Sequence, residues 1–418
     1  MKMDKKKKRN IPAADRQEAA PFDYPVDLEA GRKRCPHFGR CGGCQLLSVP
    51  YPDQLKLKQA YLERQLAPFV KPEPILGMEQ PLHYRNKVHA VFGSDRRGNV
   101  ISGVYRAGSH EIVPVDRCLL EDERADAIIV SIRGLVKSFR LKPYDEDRGT
   151  GLLRHVLVRT GHITGQILVV LVTASPVFPS RKNFVAALRK LHPEITAIVQ
   201  NINDRDTTMV LGKRDIVLYG RGYIEDVLCG RTFCISPQSF YQVNSVQTER
   251  LYREAIDMAG LTGREKVLDA YCGIGTISLI AASRAGHVTG VELNPDAVRD
   301  AKRNALNNGI ENVTFHEQDA GRFMTELARQ GGSIDVLFMD PPRSGSSREF
   351  LQAAKKLSPG RIVYISCEVR TLVRDLHLLN DMGYRVERAR GVDMFGETVG
   401  VETVVLLSKL NTKQHIEV

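Results

Sequence analysis

The chain has 418 residues, a formal net charge of +11 and 42% hydrophobic residues. That apolar content is too high for a disordered chain, and the length suggests two or three domains. No apolar run reaches the roughly 18 residues that cross a bilayer, and no apolar segment follows the basic Met1–Asn10 to make a secretory leader, so a cytoplasmic protein with a polyanionic partner is expected and a membrane role is not.

Residues 1–34, including the run Lys5–Arg9, show no hydrophobic period and read as a basic, mobile leader. The segment 35–120 opens with the cysteine-rich stretch Cys35–Cys44 and continues with a helical pattern, Tyr51–Phe69, whose stripe is Leu55, Tyr61, Leu62 and Leu66. From Tyr84 to Thr232 short strands follow one another: Val88–Phe92, Val156–Arg159, Gln166–Thr173 and Ala197–Asn201. One helix, Arg181–Leu191, interrupts them, so an α+β middle domain is expected, with 121–234 as its remainder. At Ile235 the pattern changes. Amphipathic helices alternate with the apolar strands Lys266–Ala270, Val288–Glu292, Val313–His316, Val336–Met339, Ile362–Ser366 and Thr403–Ser408, which predicts a parallel, doubly wound sheet over 235–410 and a tail over 411–418. Asn294 is placed to cap the helix after Glu292, Pro295 to occupy its first position and Gly309 to end it.

Val267-Leu-Asp-Ala-Tyr-Cys-Gly273-Ile-Gly275-Thr276 runs from a strand through a glycine-rich turn into a helix, Ile277–Ala285. Glycines there let a ligand approach the backbone at the carboxyl end of the strand, where doubly wound sheets bind ligands. Gly-x-Gly is weak by itself, and Ser278 stands where a dinucleotide fingerprint wants a third glycine. Glu292, about 20 residues on, can accept hydrogen bonds from a ribose diol. A nicotinamide dinucleotide and S-adenosylmethionine both suit these features. The missing glycine argues against a pyrophosphate, and Asp340-Pro-Pro-Arg343 after the fourth strand favours the methyl donor, although it also suits a strand-ending turn.

Ile362-Val-Tyr-Ile-Ser366-Cys367-Glu368 places a cysteine at the same edge of the sheet. A strand-end cysteine most often simply packs. Beside a methyl donor it gains a chemistry: uracil C5 is too weak a nucleophile to take a methyl group unless a thiolate first adds to C6. A base must then remove the C5 proton, and Glu402, just before the last strand, is the candidate; its plain alternative is an exposed strand-end carboxylate. The other cysteines include Cys35-x5-Cys41-x2-Cys44 and the distant Cys118, a four-thiolate set that suits zinc or an iron–sulfur cluster. Zinc more often uses two Cys-x2-Cys knuckles, and one pair stands here.

The chain resembles the RNA uracil-5-methyltransferases of the 23S rRNA and tRNA class from about Cys35 to Leu410. The resemblance is carried by Ile235-Ser-Pro-x-Ser-Phe-x-Gln242-Val-Asn244, Asp340-Pro-Pro-Arg-x-Gly345, Ser366-Cys367 with Thr371 and Arg374-Asp375, and Val401-Glu402-Thr403. It implies a Rossmann-like S-adenosylmethionine-dependent methyltransferase domain with Cys367 as nucleophile and Glu402 as proton acceptor. It further implies that Gln242, Tyr271, Thr276, Glu292 and Asp340 bind the cofactor, and that Phe240 stacks on a flipped uracil. Arg343 is expected to hold the base or its phosphate, or to pair with a nearby carboxylate. Cys35, Cys41, Cys44 and Cys118 resemble the ligands of a four-iron, four-sulfur cluster. That motif leans toward 23S rRNA as substrate, with tRNA methylation or a non-catalytic iron–sulfur RNA-binding protein as alternatives; a monomer is expected. Two positions depart from the pattern: Val369 stands where a proline is usual and Gly400 where a histidine is common. About 34 residues precede Cys35, too few for the N-terminal β-barrel that the family often carries. The grip on RNA is therefore expected from the middle domain, through Tyr84-Arg85-Asn86-Lys87, or from the lysine-rich leader.

Overall fold

Asp27 accepts a hydrogen bond from Ala30 N and so opens α1 (Leu28–Arg34), which delivers the chain to the cysteine-rich loop. The structure is a computed structural model and describes residues 20–106, 109–207 and 209–410; the run Lys5–Arg9 and the tail 411–418 lie outside the described residues. Helix α2 (Tyr51–Leu66) stops short of the expected Phe69, because Phe69 N and Val70 N both turn back to Leu66 O. Strand β1 (Glu73–Leu76) follows.

Among the described residues the middle of the chain forms one seven-stranded sheet with two helices. In chain order it comprises β2 (Lys87–Ser94), β3 (Val100–Tyr105), β4 (Ile112–Pro114), α3 (Glu123–Ser138), β5 (Leu153–Thr160), β6 (Ile167–Thr173), α4 (Arg181–Leu191), β7 (Ile195–Ile202) and β8 (Arg214–Tyr219). The strands lie in the order β4-β3-β2-β5-β6-β7-β8. The expected strands recur within β2, β5, β6 and β7, and the expected helix is α4. Helix α3 joins it as a second: Asp122 caps it, and Ile128, Ile129, Ile132 and Val136 form its buried stripe. Strands β5 and β6 are buried along their whole length. Val156, Val158, Ile167 and Val169 pack under α3 and α4, while the alternate residues Leu157, Leu168, Val170 and Val172 meet the hairpin of β9 (Ile224–Leu228) and β10 (Arg231–Ile235). A sheet covered on both faces reads as a continuous apolar run.

The C-terminal half follows, opened by α5 (Ser245–Ala259), whose cap Asn244 accepts from Gln247 N. Then come β11 (Lys266–Ala270), α6 (Thr276–Ala281), β12 (His287–Glu292), α7 (Pro295–Asn307), β13 (Val313–Glu317), α8 (Ala320–Arg329), β14 (Val336–Met339), α9 (Arg348–Leu357), β15 (Arg361–Ser366), α10 (Val369–Asp381), β16 (Tyr384–Val392) and β17 (Glu402–Lys409). Asn294 caps α7 with Pro295 at its first turn. The sheet order is β1-β16-β17-β15-β14-β11-β12-β13. Its strands are parallel except β17, which runs antiparallel to both β15 and β16. The expected all-parallel sheet is thus corrected to a mixed one. The chain returns from β16 through a loop, 393–401, and must come back in the opposite sense to fill the gap beside β15.

Strand β1 pairs in parallel with β16 at the edge of this same sheet. Leu62 packs with Val369 and Val401, and Leu66 enters the core formed with Leu376 and Leu407. Residues 51–76 therefore pack with the C-terminal sheet, and the segment 35–120 is shared between the two sheets. Among the described residues no helix is long and apolar enough to cross a membrane.

Candidate active site

Ser366 and Thr403 are register partners across β15 and β17, so the chain leaving β15 sets Cys367 beside Glu402. One strand over, Met339 partners Tyr364, and the chain leaving β14 brings Asp340 to the same edge. Glu402 is 3% exposed. Burial pushes its carboxyl up to about 8, the negative Asp340 adds to the rise, and Arg343 opposes it. Burial alone holds Asp340 up at about 7. The Cys367 thiol is pushed up to about 11 by burial, then by Glu402 and Asp340, against the pull of Arg343. Three acidic groups and one guanidinium thus form a single electrostatic unit, and a cation arriving among them favours their anionic forms.

Ala270 partners both Met339 and Val291, which draws the turn after β11 to the edge that carries Asp340 and Glu292. Tyr271 sits in this turn at φ 67° and stacks on Phe350, ring centroids 5.2 Å apart. Glu292 Oε2 accepts from Gly273 N at 3.1 Å and Oε1 from Asn294 N at 2.8 Å. The carboxylate is held against the glycine turn. Ser278, which displaces the third glycine, donates instead to Asp269 Oδ2 at 2.5 Å. Among the described residues Asp269 Oδ1 is buried with no hydrogen-bond partner, and burial pushes this carboxyl up to about 7.

Thr276 Oγ1 lies 3.5 Å from Tyr252 OH, and Tyr252 is buried within electrostatic reach of Asp340, Asp269 and Glu402. A cavity of about 580 Å³ extends from Tyr271 past Asp319, Arg322, Pro342, Ser347 and Phe350. Sequence reasoning did not single out Tyr252, Asp269 or Asp319. Asp319 had a signal: it caps α8 just after β13, the strand paired with β12.

Phe240 and Gln242 lie on the loop between β10 and α5, and the middle sheet holds that loop. Asn86 N donates to Val243 O at 2.8 Å and Asn86 Nδ2 to Gln242 O at 3.0 Å. The buried Arg159 donates to Ser239 O, and Ser239 Oγ to Asp300 Oδ2 at 3.0 Å. Phe240 is 69% exposed. Among the described residues no hydrogen bond or ring contact joins Phe240 or the Gln242 side chain to the Cys367 group.

A family model described as tRNA (Uracil-5-)-methyltransferase matches residues 50–410. The chain belongs to this family. It is an S-adenosylmethionine-dependent RNA uracil-5-methyltransferase. It is 42% identical over 382 residues to an uncharacterized RNA methyltransferase of Halalkalibacterium halodurans, covering 90% of this chain and 83% of that protein. It is 43% identical over 374 residues to one of Oceanobacillus iheyensis, with 88% and 81% covered. Among solved structures it is similar to the tRNA (uracil-54, C5)-methyltransferase of Pyrococcus abyssi in complex with S-adenosyl-L-homocysteine. The TM-score is 0.73 at 26% identity, with 88% of this chain and 86% of that one covered.

In this uracil-5-methyltransferase, Cys35, Cys41, Cys44 and Cys118 line one cavity of about 390 Å³ together with Arg85, Lys87 and His89. Burial first, then Cys118, Cys41 and Cys35 among its neighbours, raise the Cys44 thiol far above its ordinary range. Burial and Glu121 push Cys118 up to about 12. Among the described residues no group of three or more His, Cys, Asp or Glu side chains stands as a formed metal site.

Proposed function

We propose that the protein methylates C5 of a uridine in ribosomal RNA through a covalent adduct between Cys367 and C6 of the base. The observation that carries this reading is the pairing of the half-buried Cys367 with the buried Glu402, beside Asp340 and Arg343, at the carboxyl edge of the sheet. The Cys367 thiolate adds to C6, and the electron pair moves into C5. S-adenosylmethionine, when bound, supplies the methyl group that C5 takes up. Glu402 then removes the C5 proton, the C5–C6 double bond re-forms and the thiolate leaves. Asp340, Glu292 and Tyr271 are the residues that would hold the donor, with Gln242 and Thr276 at its margin. Phe240, exposed on its loop, is free to stack on a base drawn out of the RNA, an extrusion the chemistry demands because a stacked uracil hides C6.

The four cysteines would hold a four-iron, four-sulfur cluster. What supports this is their spacing, their common cavity and the family resemblance of the motif. The same motif favours ribosomal RNA. A tRNA substrate is the second reading, and the likeness to the Pyrococcus abyssi tRNA enzyme favours it.

RNA carrying 5-fluorouridine tests the mechanism, since it offers no C5 proton to remove. With S-adenosylmethionine present, a stable protein–RNA adduct should accumulate and should vanish in Cys367→Ala. An adduct that survives this substitution, or none in the wild type, overturns the covalent mechanism. Mapping 5-methyluridine in the rRNA and tRNA of a deletion strain decides the substrate.

A further inference from the structure

Glu402 opens β17, and the loop 393–401 leads into it. Near the middle of that loop stands Glu397, a buried residue at φ 65°. This is a left-handed backbone that a side-chain-bearing residue keeps only where its surroundings impose it. The surroundings come from the segment that carries three of the cysteines. Gln45 N and Leu46 N, directly after Cys44, both donate to Glu397 O at 3.0 Å. Arg34 Nη2, directly before Cys35, donates to Glu397 Oε1 at 3.2 Å. Gln54 Nε2 donates to Oε2 at 2.9 Å, and Glu397 N donates to Gln54 Oε1 at 3.1 Å. Arg34 Nη1 also donates to Leu47 O at 2.6 Å, which folds the cysteine segment around the carboxylate.

None of these bonds involves a reacting atom, and none is needed to close the sheet, whose β16–β17 pairing resumes at Val392 and Glu402. They instead fix the path of the chain into Glu402. Gly400 has no side chain to add an anchor there; its N–H donates to Thr398 Oγ1 at 3.2 Å within the loop itself.

We propose that Glu397 is a positioning residue: it clamps the loop before Glu402 to the cysteine segment and so aims the base at the C5 proton. This inference rests on the covalent mechanism proposed above. The clamp sets the direction of Glu402 and leaves the addition of Cys367 and the grip on RNA to other groups. The cysteine cavity and the base loop become one mechanical unit, so a disturbance of the cysteines reaches Glu402 through Gln45 and Leu46.

Single-turnover kinetics on ordinary RNA and on 5-fluorouridine RNA, with Glu397→Ala and Arg34→Met, test this. Arg34 is partly exposed, so its substitution leaves the core intact. A catalytic group misplaced by about 1 Å can lose about 10²-fold in rate. The variants should therefore accumulate adduct on ordinary RNA, Glu397→Ala more than Arg34→Met. Their KM for RNA and their rate of adduct formation on fluorinated RNA should stay within about twofold of wild type. Adduct decay at the wild-type rate in both variants overturns the clamp. A raised KM with unchanged decay overturns it too, because it assigns Glu397 to RNA docking.

Amide hydrogen exchange supplies a reading independent of turnover. Residues 396–400 should exchange faster in Glu397→Ala and in Cys41→Ser, and unchanged exchange in Cys41→Ser refutes the coupling to the cysteines. If wild-type protein forms no fluorinated adduct, the covalent mechanism fails, and the exchange data still decide the clamp.

Discussion

Cys367 and Glu402 stand side by side because β17 runs backwards against β15, with Ser366 opposite Thr403. A parallel strand in that place would put its carboxyl end, not its start, at the reacting edge. The reversed strand therefore brings the proposed base, its first residue, to the proposed nucleophile just past the last residue of its neighbour. Glu402→Gln keeps the shape of this pair and removes the proton acceptor. It should form the Cys367 adduct on ordinary RNA and release product about 10²–10⁴-fold more slowly, which gel analysis of the trapped complex would show. Rapid release by Glu402→Gln would remove it from the mechanism.

The pH dependence of release follows from the direction of the Glu402 shift. Burial and Asp340 hold its carboxyl up at about 8, so the ligand-free site carries it protonated at neutral pH. The base must be ionised to act, so adduct decay should rise with pH and level off above the effective value. Arg343 opposes the rise of both Glu402 and Cys367. Arg343→Met should therefore shift the midpoints of both adduct formation and adduct decay to higher pH, as rapid-quench rates at several pH values would reveal. A change in rate with no shift in either midpoint assigns Arg343 to substrate contact alone.

Asp340 also makes a stability prediction. Its folded carboxyl is held up at about 7 by burial, above the ordinary carboxylate range near 4. Such a group holds more protons in the folded chain than in the unfolded one. Its stabilising contribution is complete below the ordinary range and is lost as the pH rises through about 7. The Tm of the cofactor-free protein should fall across that interval, and Asp340→Asn should flatten the fall. Added S-adenosylmethionine should also offset it, because a nearby cation favours the carboxylate. An equal fall in Asp340→Asn would place the effect on the other carboxyls that burial raises at this end of the sheet, Asp269 and Glu402.

Much of this site was legible because strand ends carry short motifs. Gly273-Ile-Gly275, Glu292, Asp340 and Cys367 each follow or end an apolar run, and a doubly wound sheet gathers such ends on one edge. Helix α4 was legible from its periodicity. Helix α3 carried a similar signal in Asp122, Ile128, Ile129, Ile132 and Val136. The pairing of β1 with β16 was not legible, since it joins Glu73 to Arg390 across the whole chain. Nor was the reversal of β17, because an apolar strand reads the same in either direction. Tyr252 and Asp269 look like core residues in the sequence, and only the fold brings them within electrostatic reach of Asp340. Glu397 carried no local signal, for its backbone is set by partners more than 340 residues away.

The loop that carries Phe240 and Gln242 hangs on Asn86, which bonds Val243 O, Gln242 O and Ser245 Oγ from just before the interior strand β2. Asn86→Leu leaves a buried hydroxyl and a partly buried carbonyl without their side-chain donor, a loss of about 1–3 kcal/mol. Both Tm and the affinity for S-adenosylmethionine should fall, the latter measured by calorimetry. A fall in Tm alone would separate the loop from cofactor binding.

The four cysteines make the last prediction. Thiolates gathered in one cavity repel one another, and burial already holds Cys44 and Cys118 in their protonated forms. Only a bound cation makes four ionised thiols tolerable there, and iron–sulfur clusters are built on that requirement. Protein purified without oxygen should be brown, with a charge-transfer band near ~400 nm that bleaches on reduction. Cys118→Ala removes the proposed fourth ligand, distant in sequence from the other three, and should leave the protein colourless, with a lower Tm. A colourless wild type containing one zinc per chain would replace the cluster by a structural zinc site. A brown Cys118→Ala would instead remove Cys118 from the ligand set and return the choice of fourth ligand to the other side chains of the cavity, His37 and His89 among them.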